Sequence, residues 1–385
     1  MDSRDFPLPV AARLDVLKTF FDYRSGVDNE LPTPSSDSYF CYYRRLVENS
    51  RTWSTVKTHN DIIDLARLLK QPEATRESVQ NMLRKRLLDE ESEEADEILE
   101  DSINLVVRLL LMVSTGGFLS ARCSLIVSGE TKISMYTLSP RYWELISPDW
   151  KHGTIKSLVR TQFTTQRTMK ESVKLEKFFN ARNLEHIAGI KVRWTSNLAD
   201  HLRMRDDDTA VELFHYASFL RFHQTCHIPL PEWQTKTLKL KSCPVFPMAF
   251  IDETLRTLAL LLPEHDPSIT RWFAKQQNTI LKRGKLPLDP SARECGQLKV
   301  EERQMDDFDY WHDRLVILKQ VFDEAEPSNI RQWWNDRRKR VQWYTFWVAA
   351  LVLGLTVFFG VVQSIEGALQ VYVAYSQTSS VSLGI

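Results

Sequence analysis

The chain has 385 residues, 43% hydrophobic and 26% charged, with 50 basic side chains against 50 acidic ones. That length holds one large domain or two ordinary ones, and charge neutrality removes any general electrostatic pull toward nucleic acid. The five cysteines, Cys41, Cys123, Cys226, Cys243 and Cys295, are scattered, odd in number and form no CxxC pair. This argues against a disulfide framework and for free thiols in a reducing compartment.

The N-terminal stretch MDSRDFPLPVAARLD is mixed and charged, without the apolar core of a cleaved signal, so none is expected. Leu14, Val16, Leu17, Phe20 and Phe21 recur at helical spacing. Residues 28–38 form a polar loop with two prolines, and a second helix over 38–55 turns Tyr39, Phe40, Tyr42, Tyr43 and Leu46 inward, with Arg44 and Arg45 outward. A third starts at His59-Asn60-Asp61, and Pro72 interrupts the pattern after it. Thr75 is placed to cap a fourth, through Leu88. The acidic run Asp89 to Glu97 reads as a solvated helix face or linker, with a partner-binding tail as the sharper alternative.

Ile98 to Thr115 is strongly apolar, but Arg108 lies inside it and Asp101 close before. Too short for a span, it reads as the central core helix, ended by Gly116-Gly117. Residues 124–137 suggest a β-hairpin around Ser128-Gly129-Glu130. Trp143 to Leu184 looks helical and basic, with Lys151, Lys156, Arg160, Arg167, Lys170, Lys174 and Lys177 as a dispersed positive face, interrupted by Glu171 and Glu176. Ile190 to Thr195 alternates as a half-buried strand does, a helical turn follows over 197–202, and 211–216 fits either strand or helix.

Phe222-His223-Gln224-Thr225-Cys226-His227 is the densest ligand-like cluster, with Cys243 as a distant fourth zinc ligand. No second CxxC or HxxxH accompanies it, so a buried Cys and ordinary His are favoured, and neither metal nor cofactor is expected. Asp252 to Leu262 reads as an amphipathic helix with acids in its first turn, closed by Pro263. A helix over 268–281 and a proline-containing linker over 285–302 follow. Asp306 to Glu324 reads as a helix whose Phe308, Trp311, Leu315, Leu318 and Phe322 share one face.

The run from Trp343 to Val362, WYTFWVAALVLGLTVFFGVV, has no charge and no Pro. About 20 apolar residues cross the roughly 30 Å hydrocarbon core of a bilayer. Arg337, Arg338, Lys339 and Arg340 precede it and no Lys or Arg follows, so the N-terminal side is expected in the cytosol. Trp333, Trp334, Trp343, Tyr344 and Trp347 gather at one end and Tyr372 and Tyr375 beyond the other, as interfacial anchors do. Thr356, Gly360, Ser364 and Ala368 recur every four residues, a face on which two such helices can approach as a homodimer.

The expected architecture is mainly α with a small β component: an α+β cytosolic body plus one C-terminal transmembrane helix. Its parts are an N-terminal helical region over 1–140, a mixed α/β body over 141–327, a basic aromatic juxtamembrane segment over 328–342, the transmembrane helix over 343–362, and a short non-cytosolic tail over 363–385. The tail carries no basic residue, which favours the endoplasmic reticulum or another endomembrane over the mitochondrial outer membrane.

RQWWNDRRKRVQWYTFWVAALVLGLTVFFGVVQSIEGALQVY resembles the C-terminus of a group of filamentous-fungal proteins. KLEKFFNARNLEHIAGIKVRWTSNLADHL, DETLRTLALLLPEHDPSITRWF and YWHDRLVILKQVFDEAEPS are similar to other blocks of that group. The resemblance covers residues 170–375 and implies a C-terminal membrane segment but no activity. Members of the group often have neutral residues where Lys339 and Arg340 stand.

Three readings follow. The leading one is a non-enzymatic, tail-anchored interaction protein whose partners are the lipid bilayer and unidentified proteins. The sequence has no phosphate-binding Gly loop, no G-x-S-x-G elbow, no HExxH and no kinase set. The second is a membrane-tethered enzyme using Asp200, His201, Asp206 and His215, which crowd one region beside Trp194; against it, the aspartates serve as caps and the histidines as structural groups. The third is nucleic-acid binding through the basic 151–195 region, which neutrality and an anchor disfavour.

Overall fold

The computed structural model describes residues 8–23, 37–50, 54–56, 58–87, 93–115, 150–165, 167–169, 173–227, 244–325 and 340–381. The expected hairpin at 124–137, the Gly116-Gly117 stop, Cys243, the segment 326–339 and thus Trp333, Trp334, Arg337, Arg338 and Lys339 lie outside them. The chain divides into two compact units, Met1–Glu185 with Gly189–Glu324, and His186–Ala188 with Ala325–Ile385.

The first unit begins with five helices, α1 (Val10–Phe21), α2 (Asp37–Ser50), α3 (His59–Leu69), α4 (Arg76–Leu87) and α5 (Glu93–Leu111). Local chemistry sets several of their ends. Thr58 and Asp61 form a reciprocal capping box at the start of α3, and the Thr75 hydroxyl accepts from Ser78 N–H to cap α4. Lys70 closes α1 from outside, donating to Thr19 O and Phe20 O and pairing with Asp22.

α5 is the centre of this group, and every residue from Asp101 to Thr115 is buried. Three of its polar groups find partners on other segments: Ser102 takes the Thr55 N–H, Asn104 takes the Arg76 guanidinium, and Arg108 donates to the Tyr42 hydroxyl. The helix stops at Leu111, before the expected glycines. Met112 turns left-handed at φ 50° and gives its carbonyl to Leu198 N–H.

After α6 (Ile155–Gln162), the expected long basic helix does not form. The described residues of 167–176 run instead as a strap along 303–313. Leu175 N–H donates to Arg303 O and Met305 N–H to Val173 O, while Asp313 accepts from the N–H groups of Thr168 and Met169. These long-range bonds outcompete the local helical pattern, so of the described basic residues of this stretch only Lys156 and Arg160 share a helix face.

A short helix, α7 (Ala181–His186), precedes a three-stranded sheet. β1 (Lys191–Thr195) pairs in parallel with β3 (Ala210–Phe214), which pairs antiparallel with β2 (Met204–Arg205). Asp206, Asp207 and Asp208 turn between β2 and β3 with φ of 52°, 50° and 62°, a region aspartate enters more readily than most residues. The sheet thus makes 211–214 of the ambiguous 211–216 stretch a strand, while His215 and Tyr216 lie beyond its end.

α8 (Ala217–Thr225), α9 (Met248–Leu261), α10 (Pro267–Lys282) and α11 (His312–Glu324) complete the unit. α9 starts right after Pro247, so Asp252 and Glu253 lie in its second turn rather than its first, correcting the expected dipole pairing. α11 begins at His312 rather than Asp306, so Phe308 and Trp311 are core residues of the preceding loop. One aromatic cluster ties the early and late helices: Phe21 contacts Tyr39, Phe219, Phe222 and His223, with ring centroids 4.8–5.7 Å apart.

The second unit consists mainly of α12 (Arg340–Val381), a single helix of 42 residues. The protein is therefore mostly helical with one small sheet and one long apolar helix near the C-terminal end.

Candidate functional site

α12 is long and apolar enough to cross a membrane over Tyr344–Ala374, 31 residues, none of whose most apolar window is buried. Leu353 is 66% exposed and Tyr372 72%. So large an exposed apolar surface is the kind that marks an interaction or membrane-contacting region. It continues past Val362, the expected end of the span, because Gln363, Ser364 and Glu366 are all residues a helix accommodates. Thr356 and Ser364 donate their hydroxyls to the carbonyls of Val352 and Gly360 one turn back, so neither presents an unpaired donor to an apolar solvent. A Cβ built at Gly354, Gly360 or Gly367 meets nothing within 4 Å. The small face Thr356, Gly360, Ser364 and Ala368 is thus open along the helix. Tyr344 and Tyr372 are exposed and Trp347 is half-buried; Arg340 opens the helix, and Trp343 and Tyr375 lie within it.

The histidines singled out in the sequence lie in the first unit and serve packing. His201 is fully buried; its Nδ1 accepts from Phe214 N–H at 3.2 Å, which leaves the proton on Nε2 to donate to Thr257 Oγ1 at 2.7 Å. The relay continues from Thr257 to Thr254 O, and Trp311 donates to Thr254. Burial, reinforced by the Arg314 charge, holds the His201 pKa down at about 3. His215 is built the same way: Nδ1 accepts from Asp289 N–H at 3.1 Å, the ring stacks on Tyr216 at 4.1 Å, and burial lowers its pKa to about 3.

Both imidazoles are locked as neutral tautomers, and neither touches Asp200 or Asp206. Asp200 accepts from Asn197 Nδ2 and ion-pairs with Arg203 and Arg205. Asp206 pairs with Arg193 at the hairpin turn. The four groups of the acid–base grouping therefore sit in four separate structural settings, without the convergence that proton transfer requires.

The Phe222–His227 cluster is also turned to the backbone. His223 faces Leu110 O at 3.3 Å, Cys226 donates to Phe21 O, and His227 faces Phe246 O at 3.0 Å. Three residues of types that favour metals here staple α8 and its C-terminal turn to α5, α1 and the segment leading into α9. Among the described residues no group of three or more His, Cys, Asp and Glu is placed to hold a metal ion.

Two buried carboxylates that the sequence reading passed over hold the unit together. Glu253 accepts three consecutive N–H groups, those of Asp309, Tyr310 and Trp311, each at 2.8 Å. Burial raises its pKa and the three donors pull it back. Asp289 is fully buried and caps two elements at once, accepting from Ser218 N–H and Oγ and from Ser291 N–H. Burial pushes its pKa up to about 6 against those bonds. The Asp-Pro-Ser spacing at 289–291 was a legible capping signal; nothing local signals Glu253, whose partners lie more than fifty residues away.

Compared with protein-family models, curated proteins and solved structures, the chain finds no match. Its function is therefore argued from its own chemistry.

Proposed function

We propose that the chain is a single-pass membrane protein, anchored through α12, whose cytosolic body serves protein–protein interaction. The single observation that carries this reading is the apolar stretch Tyr344–Ala374, none of whose most apolar window is buried. Lengths support it. Glu366 lies 22 residues after Tyr344, about 33 Å along the helix, just beyond a hydrocarbon core of about 30 Å. Tyr372 lies about 42 Å along, within the roughly 40–45 Å that include the headgroups. The span then occupies residues 344–365, with Tyr344 and Tyr372 at opposite interfaces.

Arg337, Arg338, Lys339 and Arg340 orient the body to the cytosol in this reading, and the lack of Lys and Arg over 363–385 favours an endomembrane. An interaction role for the body is supported by the engagement of its histidines and buried acids in packing rather than in a reactive cleft. The open face Thr356, Gly360, Ser364 and Ala368 supports a homodimer through the span. The test is protease protection of sealed microsomes carrying a tag at each terminus. The N-terminal tag is expected to be digested and the C-terminal tag protected. Protection of the N-terminal tag, or digestion of both, overturns the topology.

A further inference from the structure

The 3₁₀ turn Leu198–Asp200, the residues entering β2, the middle of β3 and the first turn of α11 converge on one group of charges. Arg203 Nη1 and Arg205 Nη2 both approach the same oxygen, Asp200 Oδ1, at 2.8 and 3.3 Å. Arg205 Nη2 also bonds Glu212 Oε2 at 3.2 Å, and the other Asp200 oxygen accepts from Asn197 at 2.7 Å. Both carboxylates are thereby committed.

Arg314 enters the same cluster with no carboxylate in ion-pair reach among the described residues. Its guanidinium lies over the Trp311 ring at 5.2 Å, and Nη1 donates to Ala199 O at 2.8 Å and His201 O at 2.5 Å. Nε and Nη2 have no protein acceptor and are not sealed from solvent. A largely buried cation held only by neutral carbonyls is short of one negative charge, since buried charges are ordinarily paired. The electrostatics agree: burial first, and then the Arg203 charge, lowers the Arg314 pKa to about 10, with Asp200 and Glu212 only partly opposing.

We propose that Arg314, Arg203 and Arg205 form a binding site for a phosphate-class oxyanion, seated on the open Nε and Nη2 edge of Arg314. A guanidinium edge offers two parallel donors matched to two phosphate oxygens. Arg203, whose ion pair with Asp200 uses only Nη1, supplies donors to a third. The cluster holds three cations against two anions, and one bound oxyanion supplies the missing charge. The anion arrives either as free phosphate or as the headgroup of a phosphorylated lipid.

The test follows thermal unfolding of the full-length chain in nonionic detergent by tryptophan fluorescence. One arm adds inorganic phosphate against chloride of equal ionic strength. The other adds micelles containing phosphatidylinositol phosphate without free phosphate. A saturable rise of roughly 2–5 °C is expected in at least one arm, and the arm that responds identifies the source. The rise should vanish in Arg314→Gln and Arg203→Gln and persist in Arg193→Gln, whose partner is Asp206. Phosphate salts raise melting temperatures generally, without saturation, so saturation and loss in the variants are both required. Should Arg314→Gln not fold, Arg203→Gln carries the comparison, since Arg203 bonds no backbone carbonyl through its side chain. No saturable rise in either arm, or the same rise in the folded variants, overturns the site.

Discussion

α5 and α12 each carry a long apolar run, and the two runs meet opposite surroundings. From Asp101 to its end at Leu111 α5 is wholly buried; none of the apolar window of α12 is buried. The difference is written in their polar residues. Two of those in α5 are received by other segments: Arg76 donates to Asn104, and Arg108 donates to Tyr42. Those of α12 turn inward on their own backbone, as Thr356 and Ser364 do. Apolar content alone does not separate a core helix from a span. Whether its polar groups need the rest of the protein does.

The sharpest way to break this comparison is to place a charge in each helix. Val106→Asp is expected to unfold the first unit, costing more than about 4 kcal/mol for an unpaired buried carboxylate, measured by loss of cooperative melting. Leu355→Asp should leave that melting unchanged and instead lower the membrane-bound fraction, at about 3 kcal/mol for a mid-span acid. Equal effects on melting would erase the distinction. Truncation gives the same contrast more gently. Leu109→Ala should cost roughly 2–5 kcal/mol in chemical denaturation, and Leu355→Ala less than about 0.5 kcal/mol.

Glu253→Gln tests how far the first unit depends on its long-range acceptors. Replacing an ionised acceptor of three N–H groups by an amide is expected to cost about 1–3 kcal/mol. It should also raise hydrogen exchange at 309–311 while leaving membrane binding intact.

Acid titration sharpens the picture of the buried histidines. His201, His215 and His223 sit at about 3 in the folded protein against an ordinary 6.5, so between those values only the unfolded chain takes up their protons. Stability from this source falls as pH drops from 6.5 to 3. Burial raises Asp101, Glu212 and Asp289 to about 7, 6 and 6, so in the folded state they hold protons that the unfolded chain releases above its lower values. Their contribution grows as pH falls and opposes the histidines, until both states are protonated near pH 4. Asp313, held at about 2, adds a further loss below 4. The expected profile is a shallow plateau from pH 6 to 4.5 and a steep fall from 4 to 3. A steady decline beginning at pH 6.5 would contradict the raised carboxylates.

The smallest expected effect is at the helix face. Gly360→Ile should reduce a membrane dimerisation signal roughly five-fold, about 1 kcal/mol. An unchanged signal removes the homodimer reading without touching the anchor.

Much of this was legible in the sequence where local chemistry decides. The helix start at His59, the Thr75 cap, the alternating β1 and the buried α5 follow from spacing alone. What escaped it depends on distant partners. The 167–176 strap is held by 303–313, α5 ends where Leu198 claims the Met112 carbonyl, and α11 starts only after the N–H groups that Glu253 receives. The histidines of 201 and 215 looked reactive because they lie near aspartates in sequence. In space the backbone amides of Phe214 and Asp289 claim them first.

The most direct measurement is alkaline carbonate extraction of membranes from cells expressing the full-length chain. The account predicts that the protein stays in the membrane pellet, and that deleting residues 344–374 moves it to the supernatant. Release of the intact chain into the supernatant would contradict the account.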